Sequence, residues 1–311
     1  MHIGWRGALK QYFNPKAGNY SVGINIVELG IHISVFDTRK NQPGWIKQHF
    51  IELNNWPVAL KHWIQQQGLR NCPCNIVLSS MDYHILQVER PSVPEEELPQ
   101  ALRWAIKDLI PDKQEQVIDY FEHPAQTAGT NKLSVVAVSR QRINDLIKQI
   151  NLTDLQLSTI SIQEMAYCEL LPDTDEGVIL LTQDAGQDLY INIVKSGSLY
   201  FTRRLRGYEL LSSLSMTEIQ QDLLVSLATE TQRSMDYMES QLRQPPINKV
   251  VLALDTDFQS ELAELLQQQI FISVESVVPQ ITTQANLTPR HAYYVSLGAG
   301  LMQTNGKAVS V

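Results

Sequence analysis

The sequence predicts an α/β protein made of two halves that share one order of elements. In each half, three strands precede a helix, and a further strand follows it. The strands show apolar alternation or short apolar runs, and the helices carry apolar residues three or four positions apart. The 311 residues, 43% of them hydrophobic, suffice for two domain-sized cores. The repeated order predicts a duplicated fold with a cleft.

The first half is predicted over residues 21–172. Its strands are predicted at 22–28, 31–37, 48–53 and 75–79. A helix from Trp56 to Gln67 carries its apolar residues on one face, and Gly68 caps it. This is one complete unit of the repeat.

A compact α/β insertion is predicted within the first half, at about 91–155. Ser92 and Glu95 form a capping-box pattern, and the apolar spacing predicts a helix that runs on to Leu109 and stops before Pro111. A strand predicted at 84–90 leads into the insertion. Its other elements are predicted as strands at 117–121 and 133–139 and as a helix at 141–150.

The second half is predicted over 173–290, after a helix at 163–170 and a polar turn. Its strands are predicted at 178–182, 189–194, 199–203 and 250–254, with Ser196-Gly197 as a hairpin turn. Its helices are predicted at 217–242 and 258–268. Residues 291–311 are predicted to form a helix and tail, with the helix packing back on the first domain.

Charge and cysteine content limit the function classes. The net charge of −8 argues against general nucleic-acid binding, which needs a basic face. Cys72, Cys74 and Cys168 are an odd number with no zinc-ligand spacing, so we expect a reducing compartment and no metal site. No apolar run is long enough to span a bilayer, and the N-terminus does not resemble a signal peptide. We therefore expect a cytoplasmic protein.

Residues 1–20 are predicted as an N-terminal arm. Trp5, Arg6 and Lys10 belong to a basic amphipathic pattern. Such a segment either lies on an anionic membrane face or is a frayed or packed arm, and the pattern favours the second interpretation.

Several segments resemble one family of proteins. They are Pro94–Leu98 with the helix up to Ile110-Pro111, the strand Val117-Ile118-Asp119-Tyr120, Phe201-Thr202-Arg203, and Arg233 to Tyr237. In this order they resemble PilM, a type IV pilus assembly protein, over roughly residues 20–301. The resemblance is greatest to the branch that serves the mannose-sensitive haemagglutinin (MSHA) pilus, MshI.

The resemblance implies an actin-like (ribonuclease H-like) two-domain fold with an insertion in the first domain. It also implies a place on the cytoplasmic face of the inner membrane, peripheral to it. The implied partner is the N-terminal cytoplasmic tail of a PilN-like single-pass membrane protein, and a pilus motor ATPase is a second partner that the resemblance allows. Similar domains occur in type II secretion proteins.

The first phosphate turn of an actin-like ATP site is altered in this chain. Such a turn reads Gly-x-Asp-x-Gly, and Gly23-Ile24-Asn25-Ile26-Val27 stands in its place. Asn25 has no charge for Mg²⁺, and Val27 adds a branched side chain where phosphate must approach. Glu28 is nearby, but along a strand its side chain points to the face opposite that of Val27, so it is out of register with the phosphate turn.

The second phosphate turn has two interpretations. Asp184-Ala185-Gly186 fits a retained Asp-x-Gly turn, while a shifted register puts Gln183 and Ala185 at the key positions of a plain polar hairpin. At the adenosine position, Asp255 begins an acidic Asp-Thr-Asp segment where the family has glycines.

We therefore expect a degenerate nucleotide cleft with no catalytic residue, no metal and no required cofactor. ATP with Mg²⁺ is the cofactor that a working site would take. The expected function is a non-catalytic scaffold. The alternative is a nucleotide-binding switch ATPase of the same machinery, and a sugar or acid kinase of the same superfamily is a weaker third hypothesis.

Overall fold

The computed structural model describes residues 19–39, 42–110, 114–284 and 286–302. The predicted amphipathic arm around Trp5, Arg6 and Lys10 and the tail from 303 lie outside the described residues. Contacts divide the chain into two units. Unit 1 holds the described residues within 19–122, 132–170 and 281–302, and unit 2 holds 123–131 and 171–280. The sequence-based limits differ in placing 281–290 with the second half.

The main sheet of unit 1 has six strands in the order β14-β3-β2-β1-β4-β8. Their bounds are β1 Tyr20–Val27, β2 Gly30–Asp37, β3 Gly44–Glu52, β4 Pro73–Leu78, β8 Gln156–Ile162 and β14 Thr282–Thr283. The β1–β2 and β2–β3 pairs are antiparallel, and β1–β4 and β4–β8 are parallel. Helices α1 (Trp56–Gln67) and α3 (Arg140–Asn151) cover one face through a shared apolar core. The other face carries α8 (Tyr294–Leu301), which also packs on α4 (Gln163–Cys168).

A second sheet of unit 1 has three strands in the order β5-β7-β6. They are β5 Tyr83–Glu89, β6 Gln116–Glu122 and β7 Lys132–Ser139, and α2 (Leu98–Ile106) closes a separate small core over them. The sequence-based insertion of about 91–155 differs at both ends, because β5 pairs with β7 and α3 packs into the main core instead.

Unit 2 contains a five-stranded sheet in the order β11-β10-β9-β12-β13. Its strands are β9 Val178–Gln183, β10 Leu189–Lys195, β11 Ser198–Leu205, β12 Lys249–Leu254 and β13 Ser273–Ser276. Its helices are α5 Met216–Glu218, α6 Leu224–Ser240 and α7 Gln259–Ile270. Two antiparallel pairs followed by two parallel pairs repeat the order β3-β2-β1-β4-β8 of unit 1. This repeat is the duplication that the sequence predicts.

Two helix predictions are wrong in detail. Ser92 and Glu95 do not cap α2, which begins at Leu98 after Glu97 without a side-chain cap. Pro99 explains the start, because proline fits only the first turn of a helix. The helix also ends at Ile106, before a turn, rather than running on to Leu109.

The predicted long helix at 217–242 is interrupted. A π-helical segment, Ile219–Leu223, separates α5 from α6, and the capping box of this element is formed by Ser215 and Glu218. The predicted hairpin turn is confirmed, since Ser196 and Gly197 both have positive φ, at 50° and 64°.

Candidate functional site

Asn25, which the resemblance places where an actin-like ATPase has its metal-binding acid, is buried inside unit 1. Asn25 is 2% exposed, and its backbone pairs with that of His32 on β2 and that of Val77 on β4. Because strand side chains alternate, Asn25 lies on the face of Gly23, which contacts α8. Its Oδ1 atom is buried without a hydrogen-bond partner. The position therefore offers a neutral amide, held in the sheet.

His32 is the nearest titratable neighbour of Asn25 across the hairpin. Its ring lies 4.8 Å from that of Phe50 and 4.9 Å from that of Tyr293, between centroids. Burial, with a smaller contribution from His291, lowers the pKa of His32 from 6.5 to about 4. The imidazole is thus neutral at neutral pH, so the pair of Asn25 and His32 carries no charge that would hold a metal ion or a phosphate.

The turn after β1 has two residues, Glu28 and Leu29, between the paired residues Val27 and Gly30. Leu29 is 77% exposed, and its carbonyl oxygen accepts a hydrogen bond from Leu53 N at 3.0 Å. A Cβ atom on Gly30 would lie 2.2 Å from the carbonyl oxygen of Ile51. The glycine therefore permits close strand packing, and the tight turn presents an apolar side chain to solvent.

The second turn lies in unit 2, between β9 and β10. Gln187 N donates to Asp184 O at 2.9 Å, and Gly186 has φ +70°. A Cβ atom at Gly186 would meet nothing within 4 Å, so its backbone conformation, rather than a close approach, requires glycine. The segment Asp184-Ala185-Gly186 thus forms a tight turn with glycine in the left-handed conformation.

The residue that follows this turn is an acid. Asp188 is 5% exposed and forms an ion pair with Arg204. Burial raises the pKa of Asp188, whereas the pKa of Glu209 is lowered, first by backbone hydrogen bonds and then by a hydrogen bond to Asp188. The threonine or serine that a phosphate loop often carries here is thus replaced by a carboxyl group already engaged with protein groups.

Asp255 follows β12 in unit 2, near the second turn. Its backbone N–H donates to Oε1 of Gln183 at 3.3 Å, and Gln183 Nε2 donates to Gln187 O at 3.0 Å. One side chain therefore joins Asp255 to Gln187, in the turn that holds Asp184 and Gly186. Asn25 and Val27 belong to unit 1 and are described there.

Sequence patterns gave no indication of His32 or Glu209, and they indicated Gln183 only as part of an alternative register. Arg204 was expected at a solvated strand end, whereas it pairs with the buried Asp188. His32 was within reach, because a two-residue turn at Glu28 and Leu29 pairs residue 25 with residue 32. The contacts of Gln183 join segments that are far apart in the chain, and local patterns carry no such signal.

The described part of the chain has neither a membrane-spanning helix nor a cluster of metal-ligating side chains. No helix there is long and apolar enough to cross a bilayer. No group of three or more His, Cys, Asp or Glu side chains there is placed to hold a metal ion. The three cysteines are buried and free, and burial raises the pKa of each thiol.

Comparison by sequence gives no match, either to a family model or to a curated protein. Comparison of structures gives strong matches. The PilM-PilN type IV pilus biogenesis complex matches at a TM-score of 0.65 and 16% identity, over 90% of this chain and 97% of that chain. The cytoplasmic domain of EpsL, an inner membrane component of the Vibrio cholerae type II secretion system, matches at 0.53 and 11%, over 90% and 94%.

A third match is a Bacteroides thetaiotaomicron protein with an actin-like ATPase fold and unknown function. Its TM-score is 0.50 at 10% identity, over 85% of this chain and 93% of that one. At such identities the likeness shows the fold alone. Taken with the repeated strand order of the two units, these likenesses show that this chain has the actin-like fold that its sequence predicts.

Proposed function

We propose that this chain is a non-catalytic scaffold of type IV pilus assembly, of the MSHA type. It acts at the cytoplasmic face of the inner membrane, where it binds the N-terminal cytoplasmic tail of a PilN-like membrane protein. One observation supports the proposed absence of catalysis: Asn25 is a buried neutral amide, and it lies opposite a neutral His32.

Phosphoryl transfer on this fold needs charge at that position. Enzymes that transfer phosphoryl groups accelerate the reaction almost entirely by positioning and by electrostatic stabilisation through Mg²⁺. Neither Asn25 nor His32 supplies an anion for the metal, and the turn at Val27 lacks the glycine that phosphate needs for close approach. Asp255 and Asp257 stand on the loop after β12 in unit 2, and their carboxylates repel a polyphosphate.

The partner is inferred from the likeness to the PilM-PilN complex, which covers nearly the whole of both chains. The likeness to EpsL supports the same setting, since EpsL is an inner membrane component of a secretion system. A fold retained over this length, with an altered site, is consistent with selection for binding. Membrane association is then indirect, through the tail.

Titration calorimetry with a synthetic peptide tests this proposal. The peptide is the cytoplasmic tail of the PilN-like protein from the same source as this chain, and a scrambled peptide is the control. We expect saturable binding of the native peptide alone, with a dissociation constant that Mg²⁺–ATP leaves unchanged. Absence of binding by well-folded protein would refute the partner.

A nucleotide-binding switch is the second candidate, and Gly186 favours it, because the φ of +70° keeps an Asp-x-Gly turn in unit 2. A switch requires that nucleotide and tail affect each other's affinity reciprocally. The calorimetric experiment therefore separates the two candidates: a change in tail affinity on adding Mg²⁺–ATP supports the switch and contradicts the scaffold.

A further inference from the structure

We infer that the Gln183 side chain holds together three loops of unit 2, two of which carry predicted residues of the degenerate site, so that their arrangement is set without a ligand. This inference rests on the proposed function in one respect, namely that the site works without nucleotide. In a working site, bound nucleotide contacts the loops after β9 and β12 and so joins them. Here an internal amide does so.

Both the nitrogen and the oxygen of the Gln183 side-chain amide form hydrogen bonds, and Gln183 is positioned for this by the strand. It is the last residue of β9 and is 1% exposed. Its Nε2 group donates to Gln187 O at 3.0 Å and to Tyr208 O at 3.4 Å, and its Oε1 atom accepts from Asp255 N at 3.3 Å. Two donors and an acceptor are therefore engaged at once, each with a different backbone segment.

The contact with Tyr208 extends this connection to a helix. Tyr208 is 4% exposed, and its hydroxyl group donates to Ser226 Oγ at 3.3 Å. Ser226 lies in the first turn of α6, just after the π-helical segment. Gln183 thus connects the β9–β10 turn and the β12–α7 loop to the segment that packs on α6.

A buried amide with these contacts is more than a space-filling side chain. Gln183→Met keeps the length and volume while removing one hydrogen-bond partner from each of three backbone groups. If the amide positions the loops, all three become looser together. If it only fills space, methionine replaces it without such an effect.

Hydrogen exchange on the full chain tests the inference. The reporting amides are Asp255 N–H, Gln187 N–H, which donates to Asp184 O, and Leu211 N–H, which donates to Tyr208 O. We expect protection of all three in the wild type without nucleotide. We expect exchange about tenfold faster at all three in Gln183→Met, with the amides of β10 unchanged.

Gln259→Met is the matched control. The Gln259 side chain accepts from Leu254 N at 2.7 Å and so engages one loop only. Its replacement should speed exchange there and leave Gln187 and Leu211 as they are. A Gln183→Met variant that loosens a single loop, or none, overturns the inference.

The wild-type measurement stands even if Gln183→Met fails to fold. Protection at the three reporting amides should be the same with and without millimolar Mg²⁺–ATP. Loops that exchange freely until nucleotide protects them refute the inference. Peptide calorimetry on the wild type decides the scaffold separately, so a failure of one proposal is distinguishable from a failure of the other.

Discussion

At the scale of single residues, Asn25 and His32 support the proposal that the first turn does not serve hydrolysis. Asn25 is nearly inaccessible, with a buried oxygen that has no partner, and His32 opposite it stays neutral. Burial makes a charge at this place unfavourable, whereas a working metal site needs one. Asn25 in place of the acid and Val27 in place of the glycine therefore lie in one buried environment. We expect that reverting these two residues does not restore a working phosphate turn.

Reverting both residues tests this directly. We expect Asn25→Asp with Val27→Gly to show no ATP hydrolysis in a phosphate-release assay. We also expect Asn25→Asp alone to lose about 1–3 kcal/mol in the free energy of unfolding, measured with urea, because a carboxylate is buried with poor compensation. Asn25→Leu, which introduces no charge, is the control and should cost less. Turnover by the double variant contradicts the prediction.

His32 should also make stability depend on pH. Its pKa of about 4 in the folded protein lies below the ordinary 6.5, so between these values the unfolded chain binds a proton that the folded chain does not. Stability from His32 is therefore present above about pH 6.5 and is lost as pH falls toward 4.

We expect His32→Phe, which retains an aromatic ring beside Phe50 and Tyr293, to lose less stability than the wild type between pH 6.5 and pH 4.5. Urea unfolding at both values measures the difference. His84→Phe, at an exposed position, is the control and should behave like the wild type. An equal pH dependence in His32→Phe would contradict the assignment.

Among the elements, α8 is packed most closely in unit 1. A Cβ atom on Gly23 would lie 2.0 Å from Ser296 O, and one on Gly298 would lie 2.0 Å from Ala166 O. Polar contacts fix the helix as well, from Ser21 Oγ to Gly300 O and from Asn75 Nδ2 to Ala299 O. Gly23 thus permits close packing of α8 on the sheet, and Gly298 permits close packing of α8 on α4.

Gly298→Ala should therefore be strongly destabilising. The added methyl group meets backbone atoms that cannot rotate away, so α8 has to shift from α4. We expect a loss of about 3 kcal/mol in urea unfolding, at the upper end for overpacking. Gly44→Ala is the matched control: nothing lies within 4 Å of its Cβ position, and its stability should change by less than about 0.5 kcal/mol. Similar losses in both variants would contradict this account.

The whole molecule consists of two units, each with its own apolar core and the same strand order. Its net charge of −8 repels polyanions in general. Two cores of this kind provide stability that does not depend on a bound ligand. The actin-like fold can therefore persist without nucleotide.

Melting temperature tests this at the same scale. A ligand that binds the native state raises stability by mass action, by about 2.7 kcal/mol at one hundred times its dissociation constant. We expect no rise in Tm with millimolar Mg²⁺–ATP. A shift that grows with nucleotide concentration supports the switch instead. An ATP-binding protein assayed alongside verifies that the assay detects a shift.

The sequence by itself determined the repeated element order, and from it a duplicated α/β fold, because apolar periodicity and turn residues are local signals. The actin-like assignment came from the resemblance of its segments to PilM. It also showed that Asn25 and Val27 differ from a phosphate turn. It misplaced the start of α2 because the local pattern at Ser92 competes with the constraint imposed by Pro99.

Only the tertiary structure decided what surrounds those residues. The neutrality of His32 depends on burial among Phe50 and Tyr293, and the Gln183 contacts join the loops at Gln187, Tyr208 and Asp255. Both arise from residues that are distant in the chain and adjacent in the fold. Desolvation and hydrogen bonding depend on such neighbours, and no pattern within one segment specifies them.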